Sequence, residues 1–125
     1  MPDSALAEIL AGLRLPEKTI SPKYLYDERG SQLFDEITHL PEYYPTETEL
    51  GILRDNIDEI AEFVGPQASL IEFGSGSSRK TRVLLEHLID LAVYVPVDIS
   101  EDHLIESNEK IRAEFPGLEV LPVVA

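Results

Sequence analysis

The sequence predicts an α/β fold. A helical stretch over residues 1–65 precedes the first β-α-β-α-β half of a doubly wound parallel sheet over residues 66–125. Three observations carry this reading. Residues 66–125 alternate short apolar runs with amphipathic segments, whereas residues 1–65 show helical periodicity and loops without a clean strand. A glycine turn, Gly74-Ser-Gly76, directly follows the first apolar run and precedes a helical pattern. An acidic residue, Asp98, closes the second run. Strand, turn, helix and strand in this order build a parallel sheet with right-handed crossovers.

The elements follow in order. Asp3 or Ser4 can cap a short helix over Ala5–Leu13, which Pro16 ends. Residues 21–30 read as a loop. Ser31–Thr38 reads as a helix with Leu33, Phe34 and Ile37 on one face. Pro41 and Pro45 hold Glu42, Tyr43 and Tyr44 in a rigid, extended turn. Thr46-x-x-Glu49 has the form of a capping box, and Leu50, Leu53, Ile57 and Ile60 make the apolar stripe of the helix it opens. Gly65-Pro66 stops that helix and marks the boundary between the two regions. Ser69–Phe73 is a buried strand. A helix from Ser78 to Ile89 turns Val83, Leu84, Leu88 and the following Leu91 inward. Ala92–Val97 is the second strand. Ser100 caps a third amphipathic helix with Leu104, Ile111 and Phe115 inward, and Leu118–Val124 is the third strand.

Composition narrows the function. The 125 residues make room for one domain, with 43% hydrophobic and 27% charged residues, which excludes disorder and collagen-like repeats. No apolar run is long enough for a transmembrane helix, and the N-terminus lacks a basic leader and a small-residue cleavage site. Cysteine is absent, so disulfides, thiolate catalysis and cysteine-ligated metals are out, and a cytoplasmic location is the default expectation. The net charge is −14, with five basic against fourteen acidic residues in 1–64 and five against ten in 65–125. Neither half offers a basic face, so nucleic acid and anionic membranes are not expected partners.

The local chemistry points to a nucleotide-type ligand. In Glu72-Phe-Gly74-Ser-Gly76-Ser-Ser78, a strand enters a turn where a missing Cβ lets a ligand approach the backbone. The helix that follows presents unpaired N–H groups. Asp98 lies 22 positions after Gly76, where a carboxylate can accept both hydroxyls of a ribose. Dinucleotide enzymes place a third glycine where this chain has Arg79, which disfavours NAD. An acidic residue two before the first glycine suits S-adenosylmethionine: Glu72 would meet its ammonium group and Lys80 its carboxylate. The bland alternatives are a plain strand–helix connection and an Asp98 that merely starts a helix.

Tyr24, Tyr26, Tyr43 and Tyr44 fall in loops beside Pro or Gly. They either plug the helical region against the sheet or offer rings and hydroxyls to a small polar substrate. His39, His87 and His103 do not fall at metal-ligand spacing, so each reads as a surface or satisfied core histidine, and no metal is expected. Neither a Ser-His-Asp order nor His-Glu-x-x-His is present.

Four segments together resemble a known family: Ser21-Pro-Lys-Tyr-Leu-Tyr-Asp27, Gly30-Ser-Gln-Leu-Phe-Asp35, Ile37-Thr-His-Leu-Pro-Glu-Tyr-Tyr-Pro-Thr46 and Glu72-Phe-Gly-Ser-Gly-Ser-Ser-Arg-Lys-Thr-Arg82. They are similar to the histidine-specific S-adenosylmethionine-dependent methyltransferases, a family whose best-known member serves ergothioneine biosynthesis. The resemblance implies part of a class I methyltransferase core with S-adenosylmethionine as cofactor. It also implies stepwise methylation of the α-amino group of L-histidine to the trimethyl betaine. It assigns Tyr26 to the reacting amine and Tyr43 to substrate contact, and Gly74, Lys80 and Asp98 to the cofactor. Glu72 and Gly76 join the cofactor set from the local chemistry. The family continues past Ala125 with an acidic–aromatic pair for the adenine, so this chain is expected to be an N-terminal portion. A methyltransferase for another amino acid and a non-catalytic binding module remain open alternatives.

Overall fold

The computed structural model describes residues 3–75 and 79–125. Gly76 and Ser78, as well as the Asp3 side chain, lie outside the described residues. Helix α1 (Asp3–Arg14) is followed by a 3₁₀ turn, Pro22–Leu25, and by α2 (Glu28–Ile37) and α3 (Pro45–Val64). Then come β1 (Ser69–Phe73), α4 (Arg79–His87), β2 (Val93–Asp98), α5 (Glu101–Glu114) and β3 (Val123–Val124). The three strands are parallel, in the order β1-β2-β3, with Ser69 paired to Val93 and Val97 to Val123. The expected α/β architecture with a parallel sheet is present. Among the described residues no helix is long and apolar enough to cross a membrane.

One core sits between the sheet and its helices. Leu85 of α4, Tyr94 of β2, Ile111 of α5 and Val120 are buried together, with Leu70 and Phe115 packed against them. A second cluster joins α3 to α4 through Leu50, Ile57 and Val83. The predicted stripe of α3 therefore faces α4. Ile71 and Phe73 alternate to the other side of β1 and stay exposed.

Several boundaries differ from the sequence expectation, each for a local reason. Helix α2 starts at Glu28 rather than Ser31, because the Asp27 carboxylate accepts the Gly30 N–H at 2.7 Å and caps it. Thr46 does not cap α3. The helix begins at Pro45, so Thr46 already lies in the first turn, and Tyr44 at the cap position makes no side-chain bond. Ser100 occupies the cap position of α5, yet its side chain makes no capping bond; Asp98 Oδ1 instead accepts the Ser100 N–H at 3.0 Å. The third strand is broken. The Tyr94 N–H donates to Glu119 O and the Leu121 N–H to Tyr94 O, and regular pairing resumes at Val97–Val123. The interruption falls where Pro96 and Pro122 stand on neighbouring strands, and neither has an N–H to donate.

Candidate active site

Parallel strands collect ligands at their carboxyl ends. Here β1 runs into Gly74, and β2 ends at Asp98 beside it. The two ends are joined by the Gly74 N–H donating to Val97 O at 2.7 Å. Gly74 has φ +66°, and a Cβ built there would meet nothing within 4 Å. The backbone is therefore open to an approaching group. A cleft of ≈ 550 Å³ opens at this point, in the range of small-molecule sites. Gly74, Lys80 and Asp98 line it from the sheet side, together with Ile99 and His103. Tyr26, Ser31, Phe34 and Asp35 line it from the N-terminal segment.

The N-terminal wall is built by short-range contacts. The Glu8 carboxylate of α1 accepts from Lys23 Nζ at 2.7 Å and from Tyr24 OH at 2.8 Å, which ties the 3₁₀ turn to α1. Those two donors hold the Glu8 carboxyl below its usual range, the Lys23 bond first. Tyr26 follows that turn and is half-exposed in the cleft. Tyr43 does not line the cleft. Its ring packs edge-on against Phe34, with centroids 6.0 Å apart, and Phe34 does line it.

The structure thus brings Tyr26, Gly74, Lys80 and Asp98 together, with Tyr43 one ring away. Gly76 lies outside the described residues. Besides Asp98, which accepts the Ser100 N–H, two more expected cofactor residues have protein partners. Lys80 Nζ lies 3.1 and 3.2 Å from the two oxygens of Glu49 on α3. Glu72 does not line the cleft; its Oε2 accepts hydroxyl hydrogen bonds from Thr81 and from Tyr94, the latter at 2.9 Å. Thr81 and Tyr94 are fully buried. Burial pushes the Tyr94 hydroxyl well above its ordinary pKa, and the adjacent Glu72 charge adds to the shift.

Two contacts escaped sequence reasoning. His103 Nε2 lies 3.4 Å from Asp35 Oδ2, joining α5 to α2 at the cleft wall. The two are 68 positions apart, and no spacing rule connects them. Thr81 and Tyr94 look like ordinary helix and strand residues. Their one signal was a carboxylate, Glu72, in a strand expected to be buried, which needs donors from neighbouring elements. Around the site, Arg79 pairs with Glu47 of α3, and Arg82 holds Glu114 of α5 through two bonds of 2.8 and 2.9 Å. Each arginine holds its partner's carboxyl below the usual range. Among the described residues no cluster of His, Asp or Glu could hold a metal ion.

Known proteins share this chain's pattern. A family model described as histidine-specific methyltransferase, SAM-dependent, matches residues 5–125. The histidine N-alpha-methyltransferase of Mycolicibacterium smegmatis is 45% identical over 116 residues, covering 90% of this chain and 36% of the relative. Its namesake from Mycobacterium tuberculosis is 41% identical over the same shares. Ergothioneine biosynthesis protein 1 of Neurospora crassa is 42% identical over 96 residues, 74% of this chain and 10% of that protein. The chain spans about a third of the length of the two mycobacterial relatives. With the glycine turn and Asp98 at adjacent strand ends and the match running from residue 5 to 125, the chain belongs to the histidine-specific, SAM-dependent methyltransferase family.

Proposed function

We propose that this chain carries the cofactor half, and part of the substrate half, of an enzyme that methylates the α-amino group of L-histidine. The reaction proceeds stepwise to the trimethyl betaine. One observation carries the reading beyond family membership: Tyr26 of the N-terminal segment and Gly74, Lys80 and Asp98 of the sheet half line a single cleft. In this reading residues 1–65 form a helical subdomain that supplies substrate contacts, and residues 66–125 form the first half of a class I methyltransferase core. The partner is a small amino acid rather than nucleic acid or membrane, in keeping with the net charge of −14.

The residues present suit S-adenosylmethionine. The open space over Gly74 admits a ligand against the backbone. Asp98, at the end of β2, has a carboxylate suited to ribose hydroxyls. Lys80 would exchange the Glu49 carboxylate for that of the methionine part, a substitution of like for like. S-adenosylmethionine, when bound, supplies an electrophilic methyl group on a sulfonium.

The chain's own residues must deliver the nucleophile. An amine attacks only through a lone pair, so the substrate amine has to be neutral. The lone pair of the neutral amine would take the methyl group, and the nitrogen would give up a proton to solvent after the first and second transfers; after the third it has no N–H and stays a quaternary ammonium. In this reading the Tyr26 hydroxyl, which lines the cleft, accepts a hydrogen bond from the amine N–H in the first two transfers and so orients the lone pair. Phe34 likewise offers aromatic surface to the imidazole, and Tyr43 backs Phe34 edge-on from behind the cleft wall. Much of the rate in such a reaction comes from holding the two reactants in line.

Calorimetric titration of the chain with S-adenosylmethionine tests the cofactor half, with Asp98→Ala as control. Saturable binding that Asp98→Ala abolishes supports the reading. A folded chain that shows no heat of binding, or a mutant that binds like the wild type, contradicts it.

A further inference from the structure

Glu72 joins β1, β2 and α4 through one side-chain atom. Its Oε2 takes the Thr81 hydroxyl from the first turn of α4 and the Tyr94 hydroxyl from near the start of β2. Each of the three elements carries or leads directly into a residue of the expected cofactor set that lines the cleft. Gly74 follows Glu72 by two positions, Lys80 precedes Thr81 by one, and Asp98 follows Tyr94 by four. Glu72 itself stays out of the cleft lining.

We infer that Glu72 is a positioning residue: by receiving the hydroxyls of Thr81 and Tyr94, its carboxylate sets the relative placement of Gly74, Lys80 and Asp98. This rests on the proposed reading of the cleft as the S-adenosylmethionine site, and it replaces the direct contact to the ammonium group expected from the sequence. The physical case is one of satisfaction. A half-buried carboxylate needs donors, and bonds to a charged acceptor are stronger and shorter than neutral ones. Both donors are fully buried, so neither hydroxyl can turn to water when the carboxylate moves. The Tyr94 phenol is protonated across the neutral range at its ordinary pKa of about 10, and burial raises that value further, so it can donate. Moving any one of the three elements would leave a buried polar group unpaired. The carboxylate thus resists shear between the turn, the helix start and the second strand.

The test uses Thr81→Val, which keeps the shape and removes the hydroxyl, and Thr81→Ser, which restores it. Tyr94→Phe is the second, milder deletion should Thr81→Val fold poorly, and Leu50→Val, in the separate α3–α4 cluster, is the packing control. Two readouts are taken: backbone amide resonances of Gly74, Lys80 and Asp98 in the ligand-free chain, and affinity for S-adenosylmethionine. The expected result is displaced resonances and an about tenfold weaker affinity in Thr81→Val, as for one lost bond to a charged acceptor. Thr81→Ser should recover both. Leu50→Val should lower the melting temperature without changing either. Unmoved resonances and wild-type affinity in Thr81→Val and Tyr94→Phe would overturn the inference, as would a serine variant that rescues nothing. If the wild type binds no S-adenosylmethionine, the proposed function fails, while the ligand-free resonances still decide the role of Glu72.

Discussion

Two glycine-to-alanine substitutions in helices should have opposite signs. Gly30 lies in α2 and Gly51 in α3. On helix propensity alone both changes stabilise, by about 0.5–1 kcal/mol, because alanine loses less backbone freedom on folding. At Gly51 a Cβ would meet nothing within 4 Å, so propensity should act unopposed. At Gly30 the same Cβ would stand 1.7 Å from the Leu25 carbonyl oxygen, far inside the 3.4 Å at which ordinary contact begins. That oxygen is backbone and cannot rotate away. The 3₁₀ turn would have to separate from α2, and the Asp27 cap, 3.1 Å from the new atom, would be disturbed with it. Overpacking typically costs about 1–3 kcal/mol and a lost cap about 0.5–2 kcal/mol, which together exceed the propensity gain. Thermal unfolding followed by circular dichroism reads the outcome, at about 4 °C per kcal/mol for a chain of this size. Gly51→Ala should melt a few degrees above wild type and Gly30→Ala several degrees below. A Gly30→Ala chain that melts at or above wild type would refute the packing argument, and with it the view that this glycine exists to let the Tyr26 turn close onto α2.

Two further outcomes follow from the charged contacts. Asp35→Asn and His103→Gln should each loosen α2 from α5, and their effects on stability should be non-additive by a few tenths of a kcal/mol, since both groups are partly exposed; strict additivity in the double-mutant cycle would show that the contact carries no energy. Glu47 has its folded-state pKa lowered below 4.5 by the Arg79 bond, so its contribution is present above about pH 4.5 and is lost as pH falls through the lower folded value. The melting-temperature difference between wild type and Glu47→Gln should therefore hold from neutral pH down to about 5 and shrink in more acidic buffer; a difference that grows on acidification would contradict the assignment.

Much of the molecule was legible in the linear chain because it depends on local physics. The β1 limits, the α3 stripe of Leu50, Leu53 and Ile57, and the stop at Gly65-Pro66 rest on side-chain period and backbone restriction, which neighbours in sequence decide. That Gly74 and Asp98 would line one cleft was legible because two parallel strands must place their carboxyl ends side by side. The family was legible from four motif segments and their spacing. Local rules misjudged the start of α2, since Gly30 looks like a loop residue until the Leu25 carbonyl is seen against it. They also could not show that Pro96 and Pro122 would interrupt the same strand pair, because register is a property of two strands.

The fate of the charged side chains was decided by tertiary structure alone. Composition shows how many carboxylates there are, and the motif places Glu72 beside the turn. Only packing shows that Glu72 is claimed by Thr81 and Tyr94, that Lys80 rests on Glu49, and that His103 meets Asp35. Backbone geometry is dictated by residues a few positions apart. The partner of a charged side chain is whichever group the fold brings within reach, and here those partners come from other elements, 9 to 68 positions away.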